Sequence, residues 1–363
     1  MKPADTIRVL AIDDSSTMRS LLRMVLTGCP RIDLVGLAAD GHTGLAAIEA
    51  LKPNLVLLDI EMPGMDGLEV LEEIRSRSLP VRVIMCSTLT RRGAGITLEA
   101  LARGAVDYVA KPASQQGLRE TIETLRSELV PKIHALFPAG QGAELAPAPA
   151  PPVRAAPQHG QEREHASAEI LVIGVSTGGP AALERFVPAL PADFPIPVLI
   201  VQHMPAMFTT LLAERLNSIS RLTVREAVAG EAPPTGTVLL SRGDRHLRLA
   251  CAAGRCSVQL TLAEADEICR PSVDVLFRSA AATYGAGVLA LVLTGMGADG
   301  LAGCHAIHAT GGRILVQDRA TSAVWGMPGV VAAAGLAERI LPLDALAPEV
   351  LRSIGRPLRT RSA

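Results

Sequence analysis

Residues 170–183 read ILVIGVSTGGPAAL. An apolar run, ILVIGV, leads straight into Ser176-Thr177-Gly178-Gly179, and Pro180 follows where the first turn of a helix begins. This is the strand-to-helix punctuation of an α/β unit, and it contains G-x-S-x-G, the sharp turn that presents a serine hydroxyl. Further apolar runs at 198–202, 288–293 and 314–317 repeat the pattern, which predicts a doubly wound α/β domain. Between them, 224–262 is strand-rich, with turn residues Pro234, Gly236, Gly243 and Gly254, and reads as a β-hairpin insertion.

The N-terminal block obeys the same rule. Strand-like runs at 7–12, 33–38, 55–58, 81–86 and 108–109 alternate with amphipathic stretches at 18–26, 45–51, 68–75 and 98–102, and a last one at 118–129 closes the block. Five strands alternating with five helices predict a parallel sheet covered on both faces. Between the blocks, residues 139–166 (AGQGAELAPAPAPPVRAAPQHGQEREHA) lack aromatics, Ile and Met, so they cannot bury enough apolar surface to order themselves. The expected organisation is an N-terminal domain over 5–130, a flexible Ala/Pro-rich linker over 131–167 and a C-terminal domain over 168–355.

Composition narrows the function classes. Lys+Arg 35 against Asp+Glu 36 gives a net charge of -1, which argues against a whole-chain field for nucleic acid or an anionic membrane. Aromatics at 2% leave little for base stacking, and no basic stripe or helix-turn-helix follows the linker. Apolar runs are strand-sized, well short of the roughly 20 residues needed to span a bilayer, and no secretory signal stands at the N-terminus. The six cysteines form no CxxC pair and read as reduced, mostly buried thiols, Cys251 and Cys256 being ordinary strand residues either side of a turn. A cytoplasmic protein without nucleic-acid binding or membrane insertion is the expectation.

In open parallel sheets, ligands gather at the carboxyl ends of the strands. In the first block those ends carry Asp13-Asp14, Asp59, Ser87-Thr88 and Lys111-Pro112. A lone strand-end Asp is usually a cap or turn residue, but these groups at four successive strand ends suit a hard divalent cation and an aspartyl-phosphate. In the second block the glycine turn admits two readings, a nucleophilic serine or a loop whose N–H groups cradle an anion. His203 directly after 198–202, and Asp299 in the glycine-rich turn after 288–293, share the rim with Ser176 and favour the nucleophile. The order Ser, His, Asp differs from that of α/β-hydrolases. Cys304, His305 and His308 lack a fourth ligand for zinc and read as helix residues. His246 reads either as a substrate contact or as the end of a strand. Nucleotide binding at the turn lacks the lysine or distal carboxylate it needs.

The first block resembles two-component receiver domains through VLAIDDSSTMR (9–19), LVLLDIEMPGMDG (55–67), VIMCSTLT (83–90) and AVDYVAKP (105–112). That resemblance implies phosphorylation at Asp59 by a chemotaxis histidine kinase. It also implies Mg²⁺ held by Asp14, Asp59 and the Glu61 backbone carbonyl with Asp13 behind them, and a switch comprising Thr88, Tyr108 and Lys111. With IGVSTGGPAAL (173–183), VQHMPAMFT (201–209), AERL (213–216), RPSVDVLFRSAA (270–281), VLTGMGADGLAG (292–303) and QDRATSAVWGMPG (317–329), about nine-tenths of the chain resembles the chemotaxis protein-glutamate methylesterase family of the CheB type. Ser176, His203 and Asp299 match its nucleophile, base and acid, with Met296 and Thr177 as oxyanion candidates. The resemblance implies hydrolysis of γ-glutamyl methyl esters on methylated chemoreceptors, glutamine deamidation, no cofactor for the ester reaction, and a receiver that covers the Ser176 rim until phosphorylated. Leu240-Ser241-Arg242 departs from the usual Ala-Pro before Gly-Asp and leaves the role of the His246 loop open. The rival from another class is a phosphorylation-controlled binding module on an inactive hydrolase fold.

Overall fold

The computed structural model describes residues 5–88, 90–112, 117–140, 167–252, 254–262 and 269–355. The chain divides into two compact units, Met1–Pro147 and Ala148–Ala363. Most of the Ala/Pro-rich stretch expected to be a linker, residues 141–166, lies outside the described residues.

The first unit runs β1 (Ile7–Ile12), α1 (Ser16–Leu26), β2 (Ile32–Ala38), α2 (Gly41–Leu51), β3 (Leu55–Asp59), α3 (Gly67–Ser76), β4 (Arg82–Ser87), α4 (Arg91–Ala102), β5 (Asp107–Ala110) and α5 (Leu118–Leu136). Its strands pair in parallel in the order β2-β1-β3-β4-β5. The β3 run Leu-Val-Leu-Leu is buried on both faces, as a parallel sheet between helix layers demands. Helix starts are written locally. Ser15, Asp40 and Thr90 each accept a backbone N–H of the first turn, and Asp66 forms a reciprocal capping box with Glu69. The last helix, expected to end near 129, continues to Leu136 with Pro131 inside it. Buried Leu125, Leu129, Ile133 and Leu136 keep one apolar stripe in the core, and that packing carries the helix past the proline.

The second unit runs β6 (Ile170–Val175), α6 (Gly179–Phe186), β7 (Val198–Gln202), α7 (Ala206–Ile219), β8 (Thr223–Glu226), β9 (Thr237–Leu240), β10 (His246–Ala252), β11 (Arg255–Thr261), α8 (Val273–Tyr284), β12 (Val288–Val292), α9 (Leu301–Ala309), β13 (Arg313–Gln317), α10 (Met327–Ala333), β14 (Arg339–Leu341) and α11 (Leu343–Ser353). Among the described residues, seven strands form a parallel sheet in the order β14-β13-β12-β6-β7-β9-β8. The fold class is the expected one, with one refinement. Of the strand-rich portion 224–262, β8 and β9 join the main sheet in parallel, and only β10 and β11 form the antiparallel hairpin. Their four-residue lengths left the parallel pairing invisible to a pattern read from turns alone.

The hairpin also corrects the reading of the cysteines. Its register sets Cys251 opposite Cys256, with Cα atoms 4.1 Å apart, and the structure bonds the two as a disulfide. Such close facing pairs occur at every second position of an antiparallel ladder. Cys29, Cys86, Cys269 and Cys304 are free.

The hairpin lies against α8. Leu249 N–H donates to Ser279 Oγ, and His246 Nδ1 accepts the Ser272 N–H. Phe277 and Leu276 of α8 are fully buried beside Val172, Leu199 and Val292 of the sheet. Each such side chain contributes about 1.5–3 kcal/mol on burial. No helix among the described residues is long and apolar enough to cross a membrane.

Candidate functional site

Both units place their polar clusters at the carboxyl ends of parallel strands. In the first unit, β1 lies between β2 and β3, which puts Asp13, Asp14 and Asp59 beside the switch in strand order. Asp13 and Asp59 are buried and Asp14 is exposed. Lys111 Nζ reaches Asp13 Oδ2 at 2.9 Å and Asp59 Oδ2 at 2.7 Å. Burial raises the Asp59 carboxyl above its ordinary range even though Lys111 pulls the other way. Lys111 itself loses by burial but is held above its ordinary value by hydrogen bonds to Asp59 and Asp13. Arg19 Nη1 donates to the carbonyls of Asp13 and Asp14 and fixes the turn.

Asp14, Asp59, Ile60, Glu61, Thr88, Gly93 and Lys111 line a cavity of about 210 Å³. One carboxylate oxygen from each of Asp13, Asp14 and Asp59 lies within 4.8 Å of the others. Hard oxygen donors, partly exposed and open to a cavity, suit Mg²⁺ with its retained waters. Thr88 is half-buried, with its Oγ1 3.4 Å from Thr90 Oγ1. Tyr108 is buried, with Lys132 Nζ 5.1 Å from its ring centroid.

In the second unit, β6 lies between β7 and β12, so it too is a switch in strand order. Ser176 follows β6, His203 follows β7 and Asp299 sits in the turn between β12 and α9. The Ser176 turn is rigidly pinned. Its N–H donates to Thr294 O at 3.0 Å, and its carbonyl accepts from Gly179 N and Gln202 Nε2. Gly178 adopts φ +76, and a Cβ there would meet Ala323 Cβ at 2.6 Å, so the turn needs glycine on both counts.

His203 Nε2 lies 2.7 Å from Asp299 Oδ2. Asp299 is held in turn by the N-terminus of α8. Its Oδ2 accepts Val273 N–H at 2.7 Å, and its Oδ1 accepts Asp274 N–H at 2.9 Å and Ser272 Oγ–H at 3.0 Å. Burial alone would raise this carboxyl, but the His203 contact and charge and the backbone donors together hold it below the usual range. An anion at a helix N-terminus is the favoured placement. Ser176 Oγ is not hydrogen-bonded to His203 among the described residues, so the structure joins the pair His203–Asp299 and brings Ser176 alongside on the neighbouring strand.

Thr177 is buried, and its carbonyl accepts from Thr294 Oγ1 at 2.9 Å. The Ser176 N–H is spent on Thr294 O and the Gly179 N–H on the Ser176 carbonyl, whereas among the described residues the Met296 N–H has no protein acceptor. A Cβ on Gly295 would stand 2.8 Å from Ser176 Cβ, which brings the Met296 segment against the serine. His246, read as either a substrate contact or a strand end, opens β10 and is buried. Cys304 faces the core while His305 and His308 are exposed, so these three do not converge. Sequence reasoning missed Gln202, Ser272 and Thr294, which position the three rim residues. Of these, only Ser272 carried a signal, a cap residue directly before the apolar helix 273–284. It also missed Cys269, whose sulfur lies within 4.8 Å of His203 and Asp299 ligand atoms.

A parallel five-stranded unit with an acidic strand-end rim, and a second α/β unit with a serine turn and a His–Asp pair, define a receiver coupled to a hydrolase-type domain. The family description "Response regulator receiver domain" matches residues 9–123, and "CheB methylesterase" matches residues 171–350. The chain is 46% identical over 358 residues to a protein-glutamate methylesterase/protein-glutamine glutaminase of Nocardioides sp., covering 96% of each. It is 43% identical to the protein of the same name from Trichodesmium erythraeum, covering 96% of this chain and 99% of that one. The crystal structure of the Thermotoga maritima CheB methylesterase catalytic domain is similar with TM-score 0.50 and 40% identity, over 52% of this chain and 99% of that one. The chain belongs to the protein-glutamate methylesterase/protein-glutamine glutaminase family.

Proposed function

We propose that this chain is a phosphorylation-activated serine hydrolase that removes methyl groups from γ-glutamyl methyl esters of chemoreceptors, releasing methanol, and deamidates receptor glutamines. The observation that carries the chemistry is the 2.7 Å contact of His203 Nε2 with Asp299 beside the Ser176 turn. Ionised Asp299 can only accept, so Nε2 carries the hydrogen and Nδ1 is left as the base. Ser176 Oγ attacks the ester carbonyl as His203 Nδ1 takes its proton, and the same proton passes to departing methoxide. Water then gives a proton to His203 and its oxygen to the acyl carbon, which frees glutamate and restores the serine. The N–H groups of Met296 and Thr177 receive the oxyanion.

The receiver supplies control. Asp59 is the phosphoryl acceptor from a histidine kinase. Asp14, Asp59 and the Glu61 carbonyl would hold Mg²⁺, with Asp13 behind them, and the bound ion would neutralise phosphoryl oxygens. Lys111 and Thr88 pair with the phosphoryl group, and Tyr108 follows Thr88. The ester reaction itself uses no cofactor. The site of action is the cytoplasm, where the receptor and kinase domains of such systems meet.

Methanol release from methylated receptor membranes, with and without acetyl phosphate and Mg²⁺, tests this reading. The expected rate rises with the phosphodonor, and Ser176→Ala lowers kcat on the order of 10⁶-fold. Retention of more than about a hundredth of the turnover removes Ser176 as nucleophile, and an Asp59→Asn protein that still responds to the phosphodonor removes the switch.

A further inference from the structure

The ester reaction makes no use of Cys269, yet its sulfur, a His203 ring nitrogen and an Asp299 carboxylate oxygen all lie within 4.8 Å of one another. All three residues are half-buried, with the His203 and Asp299 side chains 16% and 12% exposed. The placement follows from local construction. Cys269 immediately precedes Arg270-Pro271-Ser272, and Ser272 is the residue whose side chain and neighbours seat Asp299 on the N-terminus of α8. The segment that orients the acid therefore carries a thiol to the same spot.

The geometry points to a second use of this site: a reversible, inhibitory Zn²⁺-binding site formed by Cys269, His203 and Asp299. One sulfur, one imidazole and one carboxylate are a donor set that Zn²⁺ accepts, whereas Mg²⁺ and Ca²⁺ prefer oxygen alone. Zn–S near 2.3 Å and Zn–N and Zn–O near 2.1 Å put neighbouring tetrahedral ligands roughly 3.5 Å apart, so modest shifts close the cluster around an ion. Three protein ligands leave the fourth position to water. On binding, the Cys269 S–H proton leaves to solvent and the thiolate and the His203 lone pair donate to the metal. His203 can then take no proton from Ser176, and its contact with Asp299 opens. The inhibitory consequence rests on the reading of His203 as the base; the metal site does not.

Two measurements on the full chain separate these. Added Zn²⁺, with Mg²⁺ kept in excess, is expected to abolish methanol release, and a zinc-selective chelator to restore it. Cys269→Ser is expected to keep its basal turnover and to need at least ~10-fold more Zn²⁺ for half-inhibition, since even outer-shell partners change metal affinity by roughly 10–100-fold. Independently of activity, Co²⁺ is expected to give a thiolate-to-cobalt charge-transfer band in the near ultraviolet. That band should be lost in Cys269→Ser and kept in Cys29→Ser. A wild type without the band, or a Cys269→Ser protein as sensitive to Zn²⁺ as the wild type, overturns the site. A wild type that shows the band but releases no methanol keeps the site and overturns the esterase reading instead.

Discussion

Gln202 Nε2 donates to the backbone carbonyl of Ser176 at 3.0 Å. The same amide nitrogen reaches the carbonyl of His203 at 3.3 Å. One fully buried side chain at the end of β7 thus ties the serine turn of β6 to the histidine next in the chain. The spacing of nucleophile and base is held by an amide that touches neither reacting atom.

Gln202→Leu preserves volume and removes both bonds. The Ser176 carbonyl keeps its bond from Gly179 N–H, so the part-buried His203 carbonyl bears the loss, about 1–3 kcal/mol at most. The expected outcome is a lowered thermal midpoint and a kcat reduced by roughly 10-fold or more at nearly constant KM, because positioning rather than receptor binding is disturbed. Steady-state methanol release together with thermal unfolding checks both.

Asp299→Asn is expected to fold and to lower kcat by about 10⁴-fold, since the neutral amide no longer stabilises the imidazolium and favours the wrong tautomer. A pH series adds a stability signature. The Asp299 carboxyl is held below its ordinary value, so its contribution is present above the unfolded value of about 3.9 and is lost as pH falls through the folded one. The gap in unfolding midpoint between wild type and Asp299→Asn should be widest at neutral pH and close on acidification below pH about 4. A gap that does not change with pH would contradict ionised Asp299 at the helix terminus.

Asp59→Asn carries the opposite sign. Burial leads among the influences on Asp59 and leaves its carboxyl raised, so ionisation costs the folded receiver stability once pH rises through that value. The variant is expected to unfold at a higher temperature than wild type at pH 7, to match it below pH about 4, and to lose all response to acetyl phosphate. Calorimetry of the full chain resolves the first two expectations, and the methanol assay resolves the third.

Gly295→Ala inserts a Cβ 2.8 Å from Ser176 Cβ and 2.5 Å from Met327 Sδ. The serine must shift to make room, and a displacement near 1 Å lowers turnover by roughly 100-fold. A variant with wild-type kcat would show that the Met296 segment and the serine turn move independently.

Much of this was legible because α/β sheets advertise their strand ends. Apolar runs terminating in Asp13-Asp14, Asp59, Ser176 and His203 announce both the sheet and the rim on which the polar groups meet. Register and the bracing around the site were not legible. Nothing in 251–256 tells a pattern reader that Cys251 faces Cys256, because a shift of one residue in the hairpin would part them. Gln202 reads as one more strand residue, and Thr294 as part of a glycine turn. Their roles exist only once β6, β7 and β12 lie side by side. The end of α5 was not legible either: the run read as 118–129 continues past Pro131 to Leu136 because its apolar stripe stays packed in the core.

The hairpin β10–β11 lies outside the main sheet, yet it is linked to the reacting pair by a short mechanical train. His246 grips the Ser272 N–H, Ser272 and its two successors clasp Asp299, and Asp299 steers the imidazole of His203. The arm therefore acts as a splint whose far end, around the Cys251–Cys256 staple, stands in solvent. Whatever grips, cleaves or loosens that far end has a handle on the tilt of the imidazole without entering the cleft. Trimming the arm would take Leu247, Leu249 and Val258 out of the core they share with the sheet, and with them the aim of its base.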